Sequence, residues 1–158
     1  MKLSPAGLAF LSHEEGFRTH PYEDQVGKET IGCGHLLTDA ENASGAIQIN
    51  GIPVRYADGI TPQQVQDLLA QDCQDRETAV SALVVCPLSQ HQFDALLSLA
   101  YNIGLGALSR SQLLKILNGG DWTGLEDAWL AFRFAGGQPI LLGRRQREWQ
   151  LWETPDVA

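Results

Sequence analysis

Apolar residues recur at helical spacing along most of the chain, and Gly, Pro and Asn divide them into separate elements. Ser4-Pro5 is a helix N-cap followed by proline at the first helical position. Leu8 and Leu11 share one face of the segment that follows, and Gly16 stops it after Glu15. In residues 17–35, Tyr22, Val26 and Ile31 surround Gly27 and Gly32, the pattern of a β-hairpin. Residues 38–60 are rich in Asn, Gly, Asp and Ser and read as loops, with a short extra hairpin around Asn50-Gly51, a type I′ turn pair. Thr61-Pro62 repeats the start signal, and Val65, Leu68, Leu69, Cys73, Val80 and Leu83 keep helical spacing over about 20 residues, ~30 Å of helix. Pro87 ends that run. Helices are predicted again at about 89–103, 109–118, 122–134 and 143–152, separated by glycines. The expected architecture is α+β, one domain over 1–158. A small β-containing lobe at about 16–60 and a larger helical lobe (1–15 and 61–158) are joined by the long helix.

Composition narrows the class. The chain has 158 residues, 44% of them hydrophobic, enough for a real core. No stretch approaches the ~18 apolar residues of a membrane span. Leu8-Ala9-Phe10-Leu11 runs at once into Ser12-His13-Glu14-Glu15, too short and too quickly charged for a signal peptide. Accumulation in the cytoplasm of the producing cell is therefore expected. Cys33, Cys73 and Cys86 lack metal-ligand spacing and leave one thiol odd, so reduced thiols are predicted. The four histidines form no ligand cluster, and no metal site is predicted.

Net charge is −8 and uneven. Residues 1–60 carry 4 basic and 8 acidic groups, 61–100 carry 1 and 5, and 101–158 carry 6 and 6. A nucleic-acid partner is not expected, because phosphate binding needs a concentrated basic face. The one basic concentration is Arg144, Arg145 and Arg147, with Arg133 in the same third of the chain. It is expected to form a local strip used in binding.

The densest chemistry lies at 15–35, Glu-Gly-Phe-Arg-Thr-His-Pro-Tyr-Glu-Asp-Gln-Val-Gly-Lys-Glu-Thr-Ile-Gly-Cys-Gly-His. Glu15 ends a helix, where the macrodipole presents its negative pole and favours a carboxyl that holds a proton to give. Asp24 follows in a polar turn beside backbone amides, a setting that favours the carboxylate. Thr30 opens the return strand, and folding back around Val26-Gly27 brings its hydroxyl beside Asp24. Two carboxyls and a hydroxyl in one hairpin are the parts needed to hydrolyse a glycosidic bond.

This segment resembles the catalytic stretch of the phage-type lysozymes, the endolysins of glycoside hydrolase family 24. The resemblance places the family's catalytic Glu, Asp and Thr on Glu15, Asp24 and Thr30. Gly16 after Glu15, and Tyr22 two before Asp24, separate these from their neighbours Glu14 and Glu23. The likeness continues in Leu88-Ser89-Gln90-His91-Gln92-Phe93 running to Tyr101-Asn102-Ile103-Gly104. It extends through Ser111-Gln112-Leu113-Leu114-Lys115-Ile116-Leu117-Asn118-Gly119-Gly120-Asp121 and Gly143-Arg144-Arg145-Gln146-Arg147-Glu148. It covers about residues 5–38 and 61–152. Departures are Cys33, where the family has an aromatic, the long 38–60 segment, and the acidic charge.

The resemblance implies a lysozyme-like fold and a muramidase cutting the β-1,4 bond between N-acetylmuramic acid and N-acetylglucosamine in peptidoglycan. The implied enzyme needs no metal or organic cofactor, works as a monomer without stable membrane association, and inverts configuration. It reaches the wall through a holin or another delivery system. Tyr22, Arg144 and Arg145 are the expected substrate contacts, with an ion pair to Glu15 as a second role for either arginine and solvated helix charge as the alternative. His35 is expected to be a buried, hydrogen-bonded histidine. Competing readings are a wall-binding or virion module that keeps the fold without turnover, and a chitin hydrolase.

Overall fold

The computed structural model describes residues 1–155. In chain order the elements are α1 (Pro5–Glu15), β1 (Arg18–Glu23), β2 (Glu29–Gly32), β3 (His35–Leu36), α2 (Asp39–Ser44), β4 (Ala46–Ile49) and β5 (Ile52–Arg55). There follow α3 (Pro62–Leu83), α4 (Gln90–Ile103), α5 (Leu105–Ser109), α6 (Gln112–Gly119), α7 (Leu125–Leu130), a 3-10 turn (Ala131–Arg133) and α8 (Leu142–Trp152). The architecture is α+β, as expected. The chain divides into two compact units, Leu8–Cys73 and Met1–Gly7 with Gln74 onward, and the boundaries fall inside α1 and α3.

In the unit of residues 8–73, β1, β2 and β3 form an antiparallel sheet in that order, and β4 and β5 form a separate two-stranded ribbon. The ribbon turns at Asn50 and Gly51, with φ of 52° and 77°. Two successive positive φ values are what a type I′ turn requires, and Asn and Gly tolerate them best. Leu11, Ile31, Ile47, Ile49, Val65, Leu68 and Leu69 are buried and make the core of this unit.

The segment expected to be loop contains a helix, α2. Its signal was in the sequence as Thr38-Asp39-Ala40-Glu41. The Thr38 hydroxyl accepts from the Glu41 N–H at 3.2 Å, and the Glu41 carboxylate accepts from the Thr38 N–H at 2.8 Å. This reciprocal box satisfies two amide donors that a helix start otherwise leaves to water. Gly45, at φ 68°, closes the helix after only six residues. The short length and absence of buried side chains hid it from a reading based on apolar spacing.

In the other unit, α4 is the central helix, buried from Phe93 through Ala100, and α8 packs along it. Leu108, Leu113, Leu117, Leu125 and Trp129 fill the space around them. The helix predicted at 109–118 is α6 and begins later, at Gln112, because Ser111 caps its start by accepting from the Leu114 N–H at 3.0 Å; the short α5 before it was not predicted. The helix predicted at 122–134 begins later, at Leu125, and ends as a 3-10 turn. All three cysteines are free thiols, as predicted.

Thr38→Ala removes the cap of α2 and should destabilise the protein by about 1 kcal/mol. A shift in urea midpoint at unchanged slope checks it, and an unchanged midpoint would show that α2 holds without its box.

Candidate active site

Glu15 is the last residue of α1, half-buried, and Gly16 turns the chain out of the helix at φ +83°. Any side chain at position 16 would be strained in that conformation. The Glu-Gly pair is thus a way of ending a helix immediately after a carboxylate and leading the chain into a strand.

That strand, β1, pairs with β2 so that Tyr22 lies opposite Thr30 and Glu23 opposite Glu29. The turn between them is held by Asp24 and Lys28. The Asp24 N–H donates to the Lys28 carbonyl at 2.9 Å, and the Gly27 N–H donates to the Asp24 carbonyl at 3.0 Å. The Asp24 side chain joins in: its Oδ1 accepts from the N–H groups of Val26 at 2.9 Å and Lys28 at 2.8 Å. Two amides fix one carboxylate oxygen, while Oδ2 has no hydrogen-bond donor among the described residues. The Thr30 hydroxyl donates to the Lys28 carbonyl at 2.9 Å, which leaves the lone pairs of its oxygen as acceptors.

The Lys28 backbone therefore holds both Asp24 and Thr30. Sequence reasoning missed it for a plain reason. The role belongs to the backbone, and no residue type advertises it.

Tyr22 is half-buried, with the Arg18 guanidinium 4.7 Å from its ring centre. Of the two neighbouring carboxylates, Glu14 is half-buried on α1, and Glu23 is exposed opposite Glu29, a like-charge pair. Cys33 is buried and its thiol lies 3.4 Å from the Ser12 hydroxyl, so it packs against α1 from within. Burial pushes that thiol above its ordinary value, despite the hydrogen bond to Ser12.

His35 sits between two carboxylates. Nδ1 meets Asp72 of α3 at 2.8 Å, and Nε2 meets Glu41 at 3.2 Å, the same Glu41 that caps α2. Burial pulls the imidazole's affinity for a proton down, but Asp72 and then Glu41 outweigh it, and the pKa is raised above 6.5. The histidine is hydrogen-bonded, as expected from sequence, but half-buried rather than buried.

Arg144 and Arg145 are not where the sequence suggested. Neither is solvated helix charge, and they form no exposed basic strip with Arg147: Arg144 is 8% exposed and Arg145 0%. Both converge on Glu148, itself fully buried. Arg144 Nε lies 3.0 Å from Oε1 and Arg145 Nε 3.1 Å from Oε2. Ser98 and the Trp129 indole donate to the same carboxylate at 2.8 and 3.3 Å, and Arg145 also donates to Asn102 at 2.9 Å. Burial pushes the Glu148 carboxyl up, and Arg145, Arg144 and the Ser98 hydrogen bonds pull it back. The expected sugar-contact role of the two arginines gives way to a buried ionic hub. An i,i+3 and i,i+4 pattern of Arg, Arg and Glu on one helix was the signal for it.

The family model of phage lysozyme matches residues 12–148, a span that includes the hairpin and the hub. The chain belongs to the phage lysozyme family. The endolysin of Salmonella phage P22 is 40% identical over 149 residues, covering 94% of this phage lysozyme and 95% of its relative. The SAR-endolysin of Escherichia phage Mu is 33% identical, over 90% of this chain and 75% of that one. A crystal structure of a P22 lysozyme variant superposes with a TM-score of 0.83 at 38% identity, covering 98% and 99% of the two chains. The muramidase domain of SpmX from Asticaccaulis excentricus does so with a TM-score of 0.77 at 31% identity, again over 98% and 99%. The lysozyme-like fold follows directly.

Two outcomes follow for this phage lysozyme. Because the folded His35 binds its proton more tightly than an unfolded histidine, its clamp contributes fully below about pH 6.5, the ordinary histidine value, and fades as pH rises through the folded value. Asp72→Asn should therefore lower the unfolding midpoint more at pH 5.5 than at pH 9. An equal loss at both would mean a neutral hydrogen bond carries the effect. Glu148→Ala should cost about 3–5 kcal/mol, since two guanidinium groups lose their buried counter-ion. A loss under about 1 kcal/mol in chemical denaturation would show that the site readily takes up water.

Proposed function

We propose that this phage lysozyme is a muramidase that hydrolyses the β-1,4 bond between N-acetylmuramic acid and N-acetylglucosamine in bacterial peptidoglycan. Membership of the family supports peptidoglycan hydrolysis. The observation that carries the assignment of residues is the state of the hairpin: Asp24 is locked through one oxygen and open at the other, and Thr30 has spent its proton on the Lys28 carbonyl.

In this reading Glu15 protonates the glycosidic oxygen as the bond from the sugar C1 breaks. A water attacks C1 from the opposite face and gives one proton to Asp24 Oδ2, while its other hydrogen is held by the Thr30 oxygen. Asp24 ends protonated and Glu15 ionised, and proton exchange with solvent restores both. Attack by water on the face opposite the leaving group inverts the anomeric carbon, and the carboxyls of such a pair stand ~6.5–9.5 Å apart. Tyr22, opposite Thr30 on β1, is the proposed sugar contact. The hub at Glu148 acts on structure, through α8 and α4.

The protein is proposed to be made in the cytoplasm and to act on the wall after release through a holin or another delivery route. It is proposed to work as a monomer, without a nucleic-acid partner or a cofactor. Among the described residues no helix is long and apolar enough to cross a membrane.

Glu15→Gln keeps the shape but has no proton to donate and should lower turnover on peptidoglycan by ~100-fold or more. Asp24→Asn should be similarly damaging and Thr30→Ala less so. Near-normal activity of the Glu15 variant would move the acid, with Glu14 the first suspect. Product followed by NMR should appear first as the inverted anomer, and retained anomer would make Asp24 a nucleophile in place of a base.

Charge gives a further test. Peptidoglycan carries carboxylates, and with Arg144 and Arg145 buried only Arg147 of the three is exposed on α8 against a net charge of −8. Raising salt from 0.01 to 0.1 M shortens the screening length from ~30 to ~10 Å and should speed lysis of whole walls. Lysis that falls steadily over that range would mean that attraction outweighs the net repulsion.

A further inference from the structure

Between Gly32 and Gly34, at φ 68° and 84°, the turn from β2 to β3 has one side chain, that of Cys33, and it is 3% exposed. Glycine on both flanks lets the backbone turn tightly and leaves Cys33 alone to pack the turn inward. His35, two residues on, ties the same segment to Asp72 of α3 at 2.8 Å, so the turn is a fixed point of the sheet.

From that point the thiol reaches α1. Its sulfur lies 3.4 Å from the Ser12 hydroxyl, and Ser12, 5% exposed, has no other hydrogen-bond partner among the described residues. A buried hydroxyl left without a partner is costly, so Ser12 requires the thiol. Ser12 precedes Glu15 by three residues on α1, and side chains at that spacing are neighbours on one helix face, with Cβ atoms ~5–6 Å apart. Cys33 follows Thr30 by three residues, just beyond the strand that carries it. Burial raises the pKa of the thiol, and the charges of Glu15 and Asp72 do so too, against the pull of the Ser12 hydrogen bond. The thiol therefore stays protonated and the contact is neutral.

We infer that the Ser12–Cys33 contact sets the place of Glu15 relative to Asp24 and Thr30, with both side chains acting as positioning residues for the reaction. This rests on the muramidase reading above. All five residues lie in the unit of residues 8–73. Glu15 ends a helix and Asp24 sits in a hairpin, so their separation depends on how the last turn of α1 lies on the sheet. Apolar core side chains such as Leu11 and Ile31 fill space there without a preferred direction, whereas a hydrogen bond fixes one. Misplacing a reacting group by ~1 Å costs about 100-fold in rate, so a contact of modest strength has leverage over turnover. At 5% and 3% exposure neither side chain is open to substrate, and each acts through Glu15 alone.

The test measures kcat and KM of the full chain on soluble glycan oligomers prepared from peptidoglycan, well below the melting temperature of each variant. Cys33→Ala removes the thiol and should lower kcat about ten-fold while KM stays within about two-fold. Cys33→Ser returns a hydrogen-bonding group to the same place and should bring kcat back to within about three-fold of the unsubstituted enzyme. Ile47→Val, a core change elsewhere in the unit, should lower the melting temperature at unchanged kcat, which separates positioning from mere loss of stability. Should Cys33→Ala fail to fold, Ser12→Ala asks the same question from the helix side and should show the same fall in kcat. Full kcat in Cys33→Ala or Ser12→Ala, or a Cys33→Ser variant as impaired as Cys33→Ala, overturns the inference. Glu15→Gln in the same assay tests the reading beneath it. Turnover retained by that variant removes Glu15 as the acid, whereas an inactive Glu15→Gln beside a fully active Cys33→Ala removes only the positioning role.

Discussion

The backbone of Lys28 is the constraint on which the geometry of the hairpin depends. Its N–H holds Asp24 Oδ1 and its carbonyl takes both the Asp24 N–H and the Thr30 hydroxyl proton. The two peptide planes that meet at the Lys28 Cα thereby set a carboxylate and a hydroxyl in a fixed relation. A backbone group loses little entropy when it acts this way, because the turn has already ordered it. The arrangement is also mutual: the aspartate stabilises the turn that positions it.

The other unit is organised by the opposite device. Glu148 is sealed in the interior and gathers Arg144, Arg145, Ser98 and Trp129 from three helices. Buried ion pairs are poor sources of net stability, since desolvation consumes most of the attraction. They are exacting about partners, however, because each group left unpaired would be costly. The hub therefore fixes how α8 lies on α4 more than how strongly it does so.

Much of this was legible in the sequence. Ser4-Pro5, Thr61-Pro62, Gly16 and Asn50-Gly51 mark ends and turns by steric necessity, and the structure has them where expected. Glu15, Asp24 and Thr30 were found as candidates because their spacing around glycines is unusual. What was not legible has physical causes. The α2 helix buries nothing, so its only trace was the Thr38–Glu41 box. Arg144 and Arg145 looked like surface charge because burial depends on a partner four residues along and on α4, far away in sequence. The His35 clamp joins residues 35, 41 and 72, a contact that no local pattern announces.

The placement of the indoles has a consequence for anyone who studies how this protein unfolds. Tryptophan emission comes from residues 122, 129, 149 and 152 alone, all in one unit, while residues 8–73 contain none. A fluorescence melt is thus a record of one half of the chain. The sheet and the turn at Asp24 are silent in it, and only the tyrosines Tyr22 and Tyr56 or the far-ultraviolet signal speak for them. Coincidence of the two signals would establish all-or-none unfolding, and a gap between them would reveal a species with the hairpin open and the helices intact.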